Sequence, residues 1–334
     1  MRVPTLAIAA VVLSAAGVAP LHAQSDDEIV LADPAFSLTF AAGYIASDLN
    51  LWGKHGINVK TVSITGIGAI NSVISGSSHF AQASASSFGR ASARGQKLIA
   101  IATTIDRPFA QVVLRKEIAV AGGYDAKSPL EKRGALLKGR TIAVDSINSM
   151  IHAYVRLVAA HSGVNPDDIR VAPMAPASML AAFQSKQIDG YAMSLPWPQK
   201  AVQDGEALLI ASGPDGEPGD MIPFGHNLIV TKQETCEKRK ALCMAMGQSI
   251  KDAAAFIKGK PDEAFALLKK RFPTLDDKLL KASFEELQKV TPSPPLLNKA
   301  IIENSEKFNV DAGLLKADEK LKSYDGLFTN EYVQ

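Results

Sequence analysis

Cysteine is nearly missing from this sequence: its 334 residues carry two, Cys236 and Cys243. Two thiols without a third cysteine or a nearby histidine leave a four-ligand zinc site without a donor set. Charge of one sign is missing too, since 36 basic residues against 34 acidic give a net charge of +2. No basic stripe interleaved with aromatics appears, which excludes nucleic acid as an expected partner. After the first two dozen residues, no apolar run reaches the roughly 20 residues that span a bilayer. Short catalytic motifs are absent as well. There is no Gly-x-Ser-x-Gly elbow, no His-Glu-x-x-His helix and no Walker lysine. The six histidines are scattered, with no pair at ligand spacing.

What is present begins with residues 1–24. Arg2 supplies a basic start, 6–18 an almost uncharged apolar run, and Leu21-His22-Ala23 a small-residue cleavage site. That pattern is a secretory signal peptide over 1–23, cleaved after Ala23. No cysteine follows the cleavage point, so no N-terminal lipid anchor is expected. In an exported chain the two cysteines invite a disulfide. Seven residues along one continuous helix would hold their Cα atoms roughly 10 Å apart, beyond the ~7 Å a disulfide bridges. The bond therefore requires Cys236 in a loop before the helix that carries Cys243.

From Glu28 onward, short apolar runs alternate with helical segments, the pattern of α/β architecture with a parallel sheet. Strands are predicted over 29–32, 58–64, 79–83, 98–103 and 110–114, and again over 141–144, 169–172, 190–193, 208–211 and 228–231. Beyond Cys236 the chain reads as helical: 241–257, 261–271, 276–290, 296–308 and 312–322. Arg107-Pro108-Phe109 leads out of the first α/β run, and Pro223-Phe224-Gly225-His226-Asn227 leads into a strand able to return to it. Two crossings make a hinge. The expected organisation is a discontinuous first lobe, 24–114 plus 228–334, and a second lobe, 115–227.

Polar loops of small residues recur where a strand ends and a helix begins. They are 33–39, 65–68 and 83–87 in the first lobe, and 145–149 and 194–197 in the second. Ligands of open α/β sheets bind at such carboxyl ends of strands, where free N–H groups and helix dipoles favour anions. Helix capping explains any one of these loops better than a site does; five loops in two lobes facing one cleft shift the balance toward a site. The candidate ligand contacts are Phe36, Ser37, Thr65, Ser84, Ser86, Ser146, Asn148, Ser149, Ser194, Trp197 and His226. Phe36 and Trp197 are the expected apolar walls, and His226 enters because it lies at a crossing. Gly66-x-Gly68 lacks the third glycine of a dinucleotide loop, with Asn71 in its place.

Several stretches resemble the periplasmic solute-binding proteins of nitrate-, sulfonate- and taurine-type ABC importers, a group that includes binders of thiamine-pyrimidine precursors. They are Leu49-Asn50-Leu51-Trp52-Gly53-Lys54-His55-Gly56-Ile57-Asn58-Val59, Ile74-Ser75-Gly76-Ser77-Ser78-His79-Phe80-Ala81, Leu137-Lys138-Gly139-Arg140-Thr141-Ile142-Ala143-Val144, Asn165-Pro166-Asp167-Asp168-Ile169 and Phe183-Gln184-Ser185-Lys186-Gln187-Ile188-Asp189-Gly190-Tyr191. Their order holds across nearly the whole mature chain. Leu195-Pro196 departs from the acid-proline pair common in the family, and His79 from its aspartate. The resemblance implies a two-lobed type II periplasmic binding fold with an interlobe cleft and a helical C-terminal segment. It also implies a monomeric periplasmic receptor serving an ABC permease and its ATPase, with no enzymatic activity, cofactor or metal. A small organic anion, sulfonate or carboxylate, is the expected ligand; the alternatives are a neutral heteroaromatic such as a thiamine-pyrimidine precursor, or an enzyme on the same fold.

Overall fold

The computed structural model describes residues 28–334, so the expected signal peptide and its cleavage site lie outside the described residues. Two five-stranded sheets form the frame. The first contains β1 (Ile29–Asp33), β2 (Val59–Ser63), β3 (Phe80–Ala83), β4 (Leu98–Ile105) and β10 (Asn227–Lys232), in the order β2-β1-β3-β10-β4. The second contains β5 (Ala110–Arg115), β6 (Thr141–Val144), β7 (Arg170–Pro173), β8 (Gly190–Ser194) and β9 (Ala207–Ser212), in the order β7-β6-β8-β5-β9.

Both sheets are mixed rather than purely parallel. In the first, β1 pairs in parallel with β2 and β3, and β10 runs antiparallel between β3 and β4. In the second, β6 pairs in parallel with β7 and β8, and β5 runs antiparallel between β8 and β9. Each time the chain crosses between lobes, the strand that follows is inserted antiparallel into the sheet it reaches. The crossings are residues 106–109 and 213–226. The expected lobe boundary after 114 is corrected at this point: β5 bonds to β8 and β9, so it belongs to the second sheet.

Burial follows sheet position. The interior strands β3, β5 and β8 are buried at every residue, as expected where helices cover both faces. Edge strand β2 leaves Lys60 and Thr61 exposed. The C-terminal helices pack across this frame. Helix Lys240–Gly259 lies on helix Ala41–Asp48 and on β4. Helix Lys299–Asp311 touches helix Ala85–Ala93 of the first lobe and helix Met150–His161 of the second. Phe308 from that helix meets Phe224 of the second crossing edge-on, ring centroids 5.1 Å apart.

Two local expectations change. Cys236 and Cys243 form a disulfide with Cα atoms 5.5 Å apart, yet Cys236 sits in a short helix, Gln233–Lys238, rather than in a loop. The break at Arg239 separates that helix from Lys240–Gly259 and removes the distance a continuous helix would impose. The helix expected over 312–322 does not form. Gly313 takes φ +70°, and the Leu314 and Leu315 amides both turn back to the Asn309 carbonyl, at 2.8 and 3.1 Å. That is how a glycine-capped helix end satisfies its last carbonyls.

Candidate functional site

The carboxyl ends of β1, β3, β6 and β8 converge on a cavity of about 60 Å³ between the sheets. At ~10–15 Å³ per water, that is room for roughly four to six waters. From the first lobe it is lined by Thr39, Phe40, Gly66, Ile67, Ile70, Ser84, Ser87 and, at the start of β10, Asn227; from the second by Asp145, Ser149, Met150, Met193 and Ser194; and from the second crossing by His226.

Local sequence sets these groups in place. Ser84 caps helix Ala85–Ala93 by accepting the Ser87 amide hydrogen at 3.2 Å, and its hydroxyl lies 2.8 Å from the Ser87 hydroxyl. Ser149 caps helix Met150–His161 through the His152 amide at 3.0 Å, and its hydroxyl donates to the Asp145 carboxylate. Burial pushes the Asp145 carboxyl up to about 6, against the pull of hydrogen bonds from Ser149 and the Ser146 backbone. Among the described residues no lysine or arginine lines the cavity, so none of them gives Asp145 a countercharge there.

His226 is neutral, because burial drives its pKa down to about 3. Its Nδ1 accepts the Phe109 amide hydrogen at 3.2 Å. The ring proton therefore sits on Nε2, which donates to Ser194 Oγ at 3.2 Å. Thr39 is only 3% exposed, and its hydroxyl has no hydrogen-bond partner among the described residues although it borders the cavity. Asn227 is held from behind: its Nδ2 donates to Gln82 Oε1 at 2.7 Å and to Thr104 Oγ1 at 2.6 Å. Gln82 Nε2 in turn donates to Asp33 Oδ1 at 2.8 Å, and burial raises the Asp33 carboxyl to about 7.

The lobes meet around this cavity. The Ile67 amide donates to Ser146 Oγ at 3.2 Å, the Leu38 amide to the Leu195 carbonyl at 3.1 Å, and the Trp197 indole to the Phe36 carbonyl at 2.6 Å. Gly66, at φ +59°, passes so close to the second lobe that a Cβ would stand 1.9 Å from Ser146 Oγ.

Of the candidate contacts, Ser84, Ser149, Ser194 and His226 line the cavity. The others stand apart from it. The Ser37 hydroxyl accepts the Thr39 amide at 3.2 Å, Ser86 donates to Asn309 Oδ1 at 2.6 Å, and Thr65 is exposed. Ser146 and Asn148 make contacts between lobes, Asn148 by accepting from Arg90 through its carbonyl. Phe36 is 40% exposed and stacks on Phe272 at 4.4 Å, with Trp197 6.1 Å from it; the two form an aromatic patch with the C-terminal helices instead of walling the cavity. Thr39 and Asp145 lie in loops singled out for their polar residues, and Asn227 ends the crossing segment 223–227, yet none of the three is among the expected contacts.

Among the described residues, no group of three His, Cys, Asp or Glu side chains is placed to hold a metal, and no cysteine is free. The arrangement offers hydrogen-bond donors and acceptors, one carboxylate and apolar walls.

No curated protein matches the chain in sequence. Its fold is that of periplasmic binding proteins. A protein of Bordetella bronchiseptica RB50 superposes with TM-score 0.77 at 19% identity, over 92% of this chain and 95% of that one. The alkanesulfonate-binding protein SsuA of Xanthomonas axonopodis pv. citri, bound to MOPS, gives 0.69 at 17% identity over 86% and 93%. The periplasmic nitrate-binding protein NrtA of Synechocystis PCC 6803 gives 0.64 at 14% identity over 87% and 83%. A family match covers residues 37–264, and on it this chain belongs to the NMT1/THI5-like family.

Proposed function

We propose that this chain is the periplasmic solute-binding component of an ABC importer. It closes its two lobes over a small heteroaromatic whose ring is neutral, such as a pyrimidine, and delivers it to a membrane permease driven by its ATPase. The observation that carries this reading is the charge of the cavity: one carboxylate, Asp145, faces it, with neutral His226 and no cation. An anion placed there would meet a like charge in a low-dielectric site, where such repulsion is strong. The small organic anion expected from the sequence therefore suits this cavity less well than the heteroaromatic alternative.

A ring bearing N–H donors answers the same chemistry. Asp145 accepts from such a donor, the unpaired Thr39 hydroxyl and Ser194 supply further hydrogen bonds, and Phe40, Ile70, Met150 and Met193 give an apolar surround. Partners come from both lobes, so a ligand touching all of them favours the closed form over the open one. The test is a thermal-shift panel of 4-aminopyrimidines, aliphatic sulfonates and carboxylates on the purified mature protein. Ligand at a hundred times its Kd stabilises by about 2.7 kcal/mol, and aminopyrimidines are expected to produce that shift. Stabilisation by simple sulfonates alone would reject the neutral ligand, and turnover of a substrate would reject the receptor role.

A further inference from the structure

Beside the cavity, and sharing the lining residues Ile67, Ile70 and Ser87 with it, lies a second recess of about 180 Å³. Its chemistry is the reverse of the first. Arg90 and Arg94, one turn apart at the end of helix Ala85–Ala93, line it together with Asn71 and Asn148. Arg90 is 5% exposed, and its guanidinium bonds only to neutral oxygens: Asn309 Oδ1 at 3.0 Å, Ser86 Oγ at 3.4 Å and the Asn148 carbonyl of the facing lobe. Arg94 is exposed, and among the described residues no acidic side chain pairs with either arginine.

A buried guanidinium ordinarily has an acidic partner, because taking a charge out of water is costly unless it is paired. Here burial and the charge of Arg94 pull Arg90 down to about 10, so it stays protonated at neutral pH. The neighbouring ionisable groups leave this charge uncompensated. Arg156, across the recess beside Gly313, donates to the Ala312 carbonyl at 2.6 Å and spends its charge on Asp167 at 2.8 Å. His152 on the same second-lobe helix is held neutral, near 4, by burial and by the charges of Arg156 and Arg90. Asp311, at the end of the overlying helix, is bonded to Lys307.

We propose that Arg90 and Arg94 form an anion subsite, which binds an acidic substituent on the same ligand whose uncharged ring lies against Asp145. The ring's position rests on the proposed function; the subsite rests on the two arginines. The ligand would then be charged at one end only, with its polarity matched by a carboxylate in one compartment and guanidinium groups in the next. The Arg90–Asn148 contact joins the lobes, so closure brings the 145–149 loop over the subsite.

Calorimetric titration of the mature protein tests this with three probes: inorganic phosphate alone, 4-aminopyrimidine-5-carboxylate, and the uncharged 4-aminopyrimidine-5-carboxamide. Wild type is expected to prefer the carboxylate to the carboxamide by about tenfold or more, the scale of one charge-assisted hydrogen bond. That preference should vanish in Arg94→Ala and reverse in Arg94→Glu; both replace an exposed side chain, which keeps the fold intact. Phosphate binding that is lost in Arg94→Glu, with neither pyrimidine bound, keeps the subsite and removes the proposed ring. If neither phosphate binding nor the carboxylate preference depends on Arg94, the subsite does not exist.

Discussion

His226 and Phe109 tie the two interlobe crossings together: Nδ1 of the histidine on the second crossing takes the amide hydrogen of the phenylalanine on the first, at 3.2 Å. The pair sits at the hinge and beside the cavity at once. Protonating Nδ1 would remove its lone pair and place a charge where burial already holds the ring near pKa 3.

This gives a pH prediction with a definite sign. The unfolded imidazole titrates near 6.5, above the folded value, so the unfolded chain takes the proton first. His226 therefore contributes stability above about pH 6.5 that is lost as pH falls toward 3. Asp33 and Asp145, with carboxyls raised to about 7 and about 6, act in the opposite direction by relieving a penalty as they protonate. The overall profile is thus flattened, and the difference from His226→Gln isolates the histidine. Glutamine accepts the Phe109 hydrogen without titrating. Urea denaturation should show wild type losing about 3 kcal/mol relative to this variant between pH 7 and pH 4. Parallel profiles would refute the assignment.

Asp145→Asn separates stability from binding. The carboxylate is buried and raised to about 6, so at pH 8 its ionisation works against the fold. Asparagine keeps an acceptor for Ser149 and has no charge to desolvate. The variant is expected to be more stable than wild type by about 1–3 kcal/mol at pH 8, with the gain fading below pH 6. Affinity for an aminopyrimidine should fall by about tenfold or more, the cost of losing a charged hydrogen-bond acceptor. Chemical denaturation and calorimetry read the two effects, and a variant destabilised at pH 8 would contradict the assigned desolvation.

Much of this architecture is legible in the sequence, because short apolar runs spaced by helical segments mark strands wherever the chain has them. The helix over Pro261–Arg271 has its expected bounds, with proline at the first turn. Sheet membership is less legible. Ala110–Arg115 is apolar enough to be an interior strand of either sheet, and its partners Gly190–Ser194 and Ala207–Ser212 lie far along the chain. The same limit governs the site. Ser84, Ser149 and Ser194 follow from their places at strand ends, but local sequence does not tell a capping hydroxyl that also borders the cavity, as in Ser84 and Ser149, from one that does not. Ser37 takes the cap and leaves Thr39, two positions on, to face the ligand space. Phe36 and Trp197 mislead because Phe272, just past the end of helix Pro261–Arg271, gathers them into its own cluster.

The disulfide should stabilise the fold without touching the site. It links buried positions separated by seven residues, and closing so short a loop stabilises by about 2 kcal/mol in the chain-entropy account. Replacing both cysteines by alanine should lower the urea midpoint accordingly and make it insensitive to reductant. Ligand affinity should stay the same, since neither cysteine lines the cavity. An equal midpoint for oxidised and reduced wild type would deny the bond a stabilising part.

Gly66→Ala tests whether the lobe contact controls capture. An L-residue at φ +59° carries a strain of about 1–2 kcal/mol, which lowers stability modestly in any state. The larger effect is steric and belongs to the closed form alone. The new methyl would stand 1.9 Å from Ser146 Oγ, and that hydroxyl is not free to retreat, because it accepts the Ile67 amide hydrogen at 3.2 Å. Closure must therefore break this bond or stop short. With ligand affinity coupled to closure, binding should weaken by about tenfold or more, and X-ray scattering of the ligand-saturated variant should give a larger radius of gyration than wild type. Adding Ser146→Gly removes the obstructing side chain while leaving the backbone strain at position 66, so the double variant should regain compaction and part of the affinity. A single variant that binds and compacts like wild type would show that the lobes close without this contact.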